Sequence, residues 1–183
     1  MFSLSQMKKI KQVYLKIVGL ANDENITAIV SEMERFGAMV SLYDKYDGDN
    51  IYKLNDKTWN RLCKIENRKT AEFTKFKQEL HNIYNYIIYT YISSTDKNYD
   101  AIMEFCNIVI KLAKNNDKRA YEYANRLIPI LKKYSYKHGS DFGYYISGFD
   151  DTNASDYKKL ADLTKNYSST VLNMINKQFH EKL

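Results

Sequence analysis

The sequence has few residues that interrupt helices. One proline and six glycines occur in 183 residues. Proline removes a backbone donor, and glycine weakens helix and strand interiors. So few of either, set among long periodic segments, point away from turn-rich architectures and toward an all-α chain. There are two cysteines, Cys63 and Cys106, both in apolar contexts and without a paired spacing. That excludes a disulfide framework and a cysteine metal or redox motif, and it suggests two small buried side chains in a reducing compartment. The chain also lacks a clean long hydrophobic run. Its opening, MFSLSQMKKIKQVYLKIVGL, places lysines inside the apolar stretch, so neither a signal peptide nor a membrane span is expected. A cytoplasmic or nuclear protein is implied, and cytoplasmic is taken as the expectation.

Hydrophobic residues make up 44% of the chain, enough for a core, and tyrosine is abundant at 17. The length fits one domain spanning 1–183. The net charge of +6 permits nucleic acid or an anionic surface as partner. The lysines are interleaved with acids and form no block, however, which is the pattern of a solvated helical surface.

Periodicity divides the chain into helices. Met7, Ile10, Val13, Tyr14, Ile17, Val18 and Ala21 recur at helical spacing from Ser5 to about Asn22. After NDEN, a short helix carries Ile26, Ile29, Val30, Met33 and Phe36 and ends near Gly37. A long helix is predicted from about Leu42 to Arg68, weakened at Gly48 by ~1 kcal/mol relative to alanine. A fourth begins at AEFTKF, a fifth runs from about Tyr99 to Lys114, and a sixth from about Lys118 to Tyr136 with a kink at Pro129. An aromatic segment, DFGYYISGF, follows, and a last helix starts near Ser155, a fair N-cap. The expected fold is therefore all-α: an antiparallel bundle of about eight helices joined mostly by short loops.

Catalytic signatures are missing from this pattern. His81, His138 and His180 have no acid or cysteine at ligand spacing. If Gly48 took the sixth position of a calcium loop, the first, third and twelfth would be Tyr43, Lys45 and Leu54, none of them a carboxylate. The DFG at Asp141 has none of the companions of a kinase site. No glycine-rich phosphate cradle or nucleophile elbow occurs. A non-enzymatic protein without cofactor or metal is expected.

Five patches, in order, carry a family resemblance. They are VYLKIVGLANDENITAIVSEMERF (13–36), TWNRLCKIEN around Trp59, Ile65 and Glu66, ELHNIYNYII with Glu79, Leu80, Ile83 and Ile87, NDKRAYEYANRL opening the sixth helix, and GSDFGYYISGFDDTN. Together they resemble the 14-3-3 family across nearly the whole chain. The resemblance implies nine antiparallel helices, a dimer formed through the N-terminal helices, and a concave groove that holds phosphorylated peptides. This chain ends with the eighth helix, so the ninth is not expected.

The family grips phosphate with a lysine, two arginines and a tyrosine, because guanidinium groups give bidentate, charge-assisted hydrogen bonds. The positions ten and three residues before Trp59 are Asp49 and Asp56 here, and the arginine–tyrosine pair falls on Asn107 and Ile108. Carboxylates in place of cations repel phosphate, so the resemblance implies a phosphopeptide pocket that is altered or lost. A slip of one turn in the third helix would instead present Lys45, Lys53 or Lys57. Gly143 replaces an asparagine that holds peptide backbone, and Phe142 and Ile146 match apolar groove positions while equally fitting a core. Ile17, Val18, Leu62, Ile65 and Glu79 match the family's dimer seam, or else belong to the core of a monomer.

The function expected is that of an adaptor for protein or peptide ligands, phosphorylated or not, and itself a homodimer. Membranes and nucleic acid are not the expected partners. Two other readings stand beside it. One is a tetratricopeptide-like peptide binder, suggested by the hairpin look of YDAIMEFCNIVIKLAKNNDKRAYEYANRL but opposed by the absence of a repeat of about 34 residues. The other is a basic helical nucleic-acid binder that uses lysine and tyrosine.

Overall fold

The computed structural model describes residues 2–41, 49–65 and 69–183, without the side chains of 49, 50 and 69. It is all-α, with no strand among the described residues. In chain order the helices are α1 (Leu4–Asn22), α2 (Ile26–Val40), α3 (Asp49–Lys64), α4 (Lys69–Thr95), α5 (Lys97–Lys114), α6 (Arg119–Tyr134), α7 (Tyr136–Ser147) and α8 (Ala154–Lys182). The all-α class is therefore as expected, and eight helices are found among the described residues. The predicted ends of the third helix at 42–48 and 66–68, with Tyr43, Lys45, Tyr46, Gly48 and Glu66, lie outside the described residues.

Local chemistry sets the helix ends. Ser3 and Gln6 form a capping box at α1, which satisfies two orphan donors reciprocally. Asn25 caps α2 by accepting from the Ala28 N–H at 3.2 Å, and Asp96 caps α5 by accepting from the Asn98 N–H at 2.9 Å. Helix α2 runs three residues beyond the stop expected at Gly37, because Phe36 and Val40 continue its buried stripe. The sixth helix ends at Tyr134 rather than Tyr136. Ser135, extended at φ −151° and ψ 101°, both stops α6 and caps α7 through the His138 N–H. Pro129 lies exposed inside α6, which continues past it. At α8 the Asn153 carboxamide accepts from the Ser155 N–H at 2.9 Å, so the capping side chain comes two residues before the serine expected.

The chain divides into two compact units, 1–91 and 92–182, with the boundary inside α4. In the first, α1 packs on α2, and α2 meets α3. Met7, Ile10, Val13, Ile17 and Ala21 of α1 are buried, each at the helical spacing read from the sequence. Burying an aliphatic side chain of this size contributes about 1.5–3 kcal/mol. On the adjoining face of α1, Tyr14 stacks on Tyr84 of α4 at 4.1 Å between centroids, and its hydroxyl lies 2.9 Å from His81 Nδ1. In the second unit α5, α6, α7 and α8 each pack on their chain neighbour, and α8 closes back on α5. The α5–α6 hairpin anticipated from the sequence forms, as one edge of this closed set of four helices. Ile102, Val109, Leu127, Leu131, Phe142, Leu160 and Val171 fill its core.

Candidate functional site

The side chains expected to line a groove are dispersed. Phe142 is fully buried and Ile146 is 4% exposed, so both are core fillers of the second unit and not groove walls. The reason is the pitch of α7, which turns positions 139, 142 and 146 to the same inward face. Gly143 lies where α7 approaches α6, and a β-carbon there would sit 3.3 Å from Ile128 Cδ1. It is a packing position. Asp56 is exposed on α3 and lies 3.4 Å from the Asn60 side-chain amide. Asp49 opens α3, and its side chain lies outside the described residues. Asn107 is exposed on α5 and Ile108 half-buried beside it.

The expected dimer seam is also largely interior. Ile17 and Ile65 are fully buried and Leu62 is 3% exposed within the single chain, so these three have no area left for a partner. They belong to the core because α1 and α3 each turn their apolar stripe inward. Val18 is half-buried. Glu79 faces Arg61 across α3 and α4, with Oε1 3.9 Å from the guanidinium Nε.

That Arg61–Glu79 pair marks a cleft of about 270 Å³ in the first unit, lined by Lys57, Asn60, Arg61, Lys64 and Glu79. Lys57, Arg61 and Lys64 stand at i, i+4 and i+7, which places them on one face of α3. Asp56 is not part of that lining. The cleft thus gathers three cations against one carboxylate. Arg61 and Glu79 are each less than half exposed, so their attraction is screened less than that of a fully solvated pair. Lys57 was within reach of sequence reasoning as the one-turn slip; Arg61 and Lys64 share its face, and the i, i+4, i+7 pattern of cations was the signal that could have found them.

The second unit carries a longer groove. Two concavities lie end to end along the α5–α8 seam and share Lys114. One, of about 320 Å³, is lined by Met103, Cys106, Asn107, Ile110, Lys165 and Leu172, among others. The other, of about 390 Å³, reaches Asn116, Tyr157, Lys158 and Asp162. The first concavity takes its walls from 103–114 and 165–172 and the second from 113–116 and 154–162, so the two helices run antiparallel. Cys106 Sγ lies 3.9 Å from the Thr164 carbonyl. Burial pushes the Cys106 thiol up, while the Ser168 hydroxyl and the Lys165 ammonium act in the opposite direction. A raised thiol is a poor nucleophile at neutral pH. Sequence reasoning missed this groove apart from Asn107, because its walls come from segments about fifty residues apart whose register is set only by packing.

No group of three or more metal-ligating side chains clusters among the described residues, and no described helix is long and apolar enough to cross a membrane. Comparison of the chain with protein-family models, with curated proteins and with solved structures gives no match.

Proposed function

We propose that this protein is a non-enzymatic adaptor of 14-3-3-like type in which the phosphate-gripping cations have moved along the third helix. The observation that carries this reading is the α3 cleft. The carboxylates Asp49 and Asp56 occupy the positions where the resemblance expects cations, while Lys57, Arg61 and Lys64 line a cleft on the same helix. A phosphate entering it would compete with Glu79 for the Arg61 guanidinium, whose planar fork suits bidentate phosphate binding. The ligand class is a peptide segment, phosphorylated on serine or threonine. Two free cysteines, one exposed and one half-buried, fit work in the reducing cytoplasm.

The test is a fluorescence-polarisation titration of the full chain with a phosphoserine peptide pool and its unphosphorylated counterpart. A charge-assisted hydrogen bond contributes about 1.5–3 kcal/mol. Arg61→Ala should therefore weaken phosphopeptide binding by at least about tenfold. Equal affinity for both pools, or binding indifferent to Arg61→Ala, would remove the proposal.

A further inference from the structure

We propose that the α5–α8 seam of the second unit is a docking groove for an amphipathic helix with an acidic face. This surface is separate from the α3 cleft and needs no phosphate. Its floor is apolar: Met103, Ile110 and Leu172 are half-buried and keep area that a partner can cover. Its walls are cationic. Lys114, Lys158 and Lys165 are exposed along it, and none forms an ion pair among the described residues, whereas Asp162 is the one carboxylate of the lining. Apolar floor with polar, charged walls is the arrangement that receives a helix laid into a groove.

The dimensions agree with this occupant. From Met103 to Asn116 the groove follows α5 for about 20 Å at 1.5 Å per residue. That is the length of three to four turns of a partner helix. Lys158 and Lys165 are seven residues apart on α8, a separation of about 10 Å along its axis. A partner helix therefore meets them with two carboxylates spaced seven residues apart, while residues at i, i+3 and i+7 on its other edge rest on Ile110 and Leu172.

A basic partner would leave the three lysines facing like charge, so the charge pattern selects the acidic helix.

The experiment uses the full chain and a labelled peptide of about four turns, with leucines on one face and glutamates seven residues apart on the other. A second peptide carries lysines in place of the glutamates. The expected result is binding of the acidic peptide, weakened as salt rises. The double variant Lys114→Glu, Lys165→Glu should lose at least tenfold in affinity and prefer the lysine peptide. Both lysines are exposed, and unchanged circular dichroism checks that the variant folds. Equal binding of both peptides, binding of neither, or no change in the double variant overturns the proposal. Displacement of the acidic peptide by a single-stranded RNA at lower concentration than by unlabelled peptide also overturns it, since the lysines then serve nucleic acid. Arg61→Ala separates the two sites: it should abolish the phosphopeptide preference and leave acidic-helix binding unchanged.

Discussion

Gly139 of α7 passes so close to Lys132 of α6 that a β-carbon on it would lie 2.7 Å from the Lys132 backbone nitrogen and 2.9 Å from its Cα. Backbone cannot step aside as a flexible side-chain tip can. The α6–α7 elbow at Ser135 therefore depends on the missing side chain. Gly139→Ala should destabilise the second unit by about 1–3 kcal/mol, the usual cost of overpacking, despite alanine's better helix propensity. Gly143→Ala is the contrast. Its β-carbon would meet the Ile128 side chain at 3.3 Å, which can give, so the propensity gain of up to about 1 kcal/mol offsets the crowding. Urea unfolding of the two variants checks the pair: a similar loss for both would mean that the close approach at Gly139 is not what limits it.

Two helices end in the same left-handed motif with different residues. At α1, the Asn25 N–H donates to the Leu20 carbonyl at 3.0 Å and the Glu24 N–H to Ala21 at 3.1 Å, with Glu24 at φ 54°. At α5, Asp117 and Asn116 donate in the same way to Leu112 and Ala113, with Asn116 at φ 52°. Both are Schellman motifs, in which glycine or asparagine is the residue suited to positive φ. Asparagine meets that need and glutamate does not. Glu24→Gly should raise stability by about 0.5–1 kcal/mol, as relief of left-handed strain outweighs the added freedom of the unfolded chain. Glu24→Ala should bring no such gain, because alanine keeps the β-carbon. A thermal melt of both variants decides it.

Much of the fold is legible in the sequence, since Met7, Ile10, Val13, Ile17 and Ala21 of α1, Ile102 and Val109 of α5, and Tyr157, Leu160, Val171 and Ile175 of α8 repeat at helical spacing and are buried, while Phe105, Leu112, Leu163 and Met174 on the same stripes are half-buried. The α6–α7 break was less visible. Ser135 has no proline or glycine beside it, and the conspicuous Pro129 lies inside a helix that continues. Propensity marks proline as the breaker, whereas here packing of Gly139 against Lys132 sets the bend. The site was harder still. Reading Phe142, Ile146, Leu62 and Ile65 as surface needed knowledge of which face each helix buries, and an apolar residue at helical spacing looks the same in a groove, a seam or a core. The cationic face Lys57–Arg61–Lys64 sits on one helix and can be read locally. The α5–α8 groove joins residues distant in the chain and becomes visible only with the antiparallel register.

Three tyrosines make stability sensitive to alkali. Burial first, then the neighbouring Tyr14, pushes Tyr84 up to about 12. Burial, then Asp156, does the same for Tyr121. For Tyr134 burial again leads, followed by the hydrogen bond its phenol donates to Asp96, and its value is about 12. An unfolded tyrosine titrates near 10. A folded value above the unfolded one means that the folded state holds its proton more tightly. This contribution is complete below about pH 10 and is lost as pH rises toward about 12. Tyrosinate absorbance should therefore show a late-titrating class that merges with the rest on unfolding in urea. Tyr134→Phe should remove one member of that class and flatten the fall in stability between about pH 10 and 12. A late class of unchanged size in this variant would show that Tyr134 titrates normally.

Leu62 decides between a seam and a core. It is 3% exposed in the single chain, beside Ile65 at 0%. If a second copy covered Leu62, truncating it would weaken association, and the loss of stability would depend on protein concentration. If Leu62 is core, Leu62→Ala leaves a cavity inside one chain and costs about 2–5 kcal/mol whatever the concentration. The core outcome is expected. Melting wild type and Leu62→Ala at about 1 μM and about 100 μM should give the same difference in Tm at both, because a unimolecular transition carries no concentration term. A Tm difference that shrinks at the higher concentration would return Leu62 to an interface. Val18→Asp, at a half-buried position on α1, supplies the complement: it should change the sedimentation coefficient of a homodimer that uses that face while costing far less stability than Leu62→Ala.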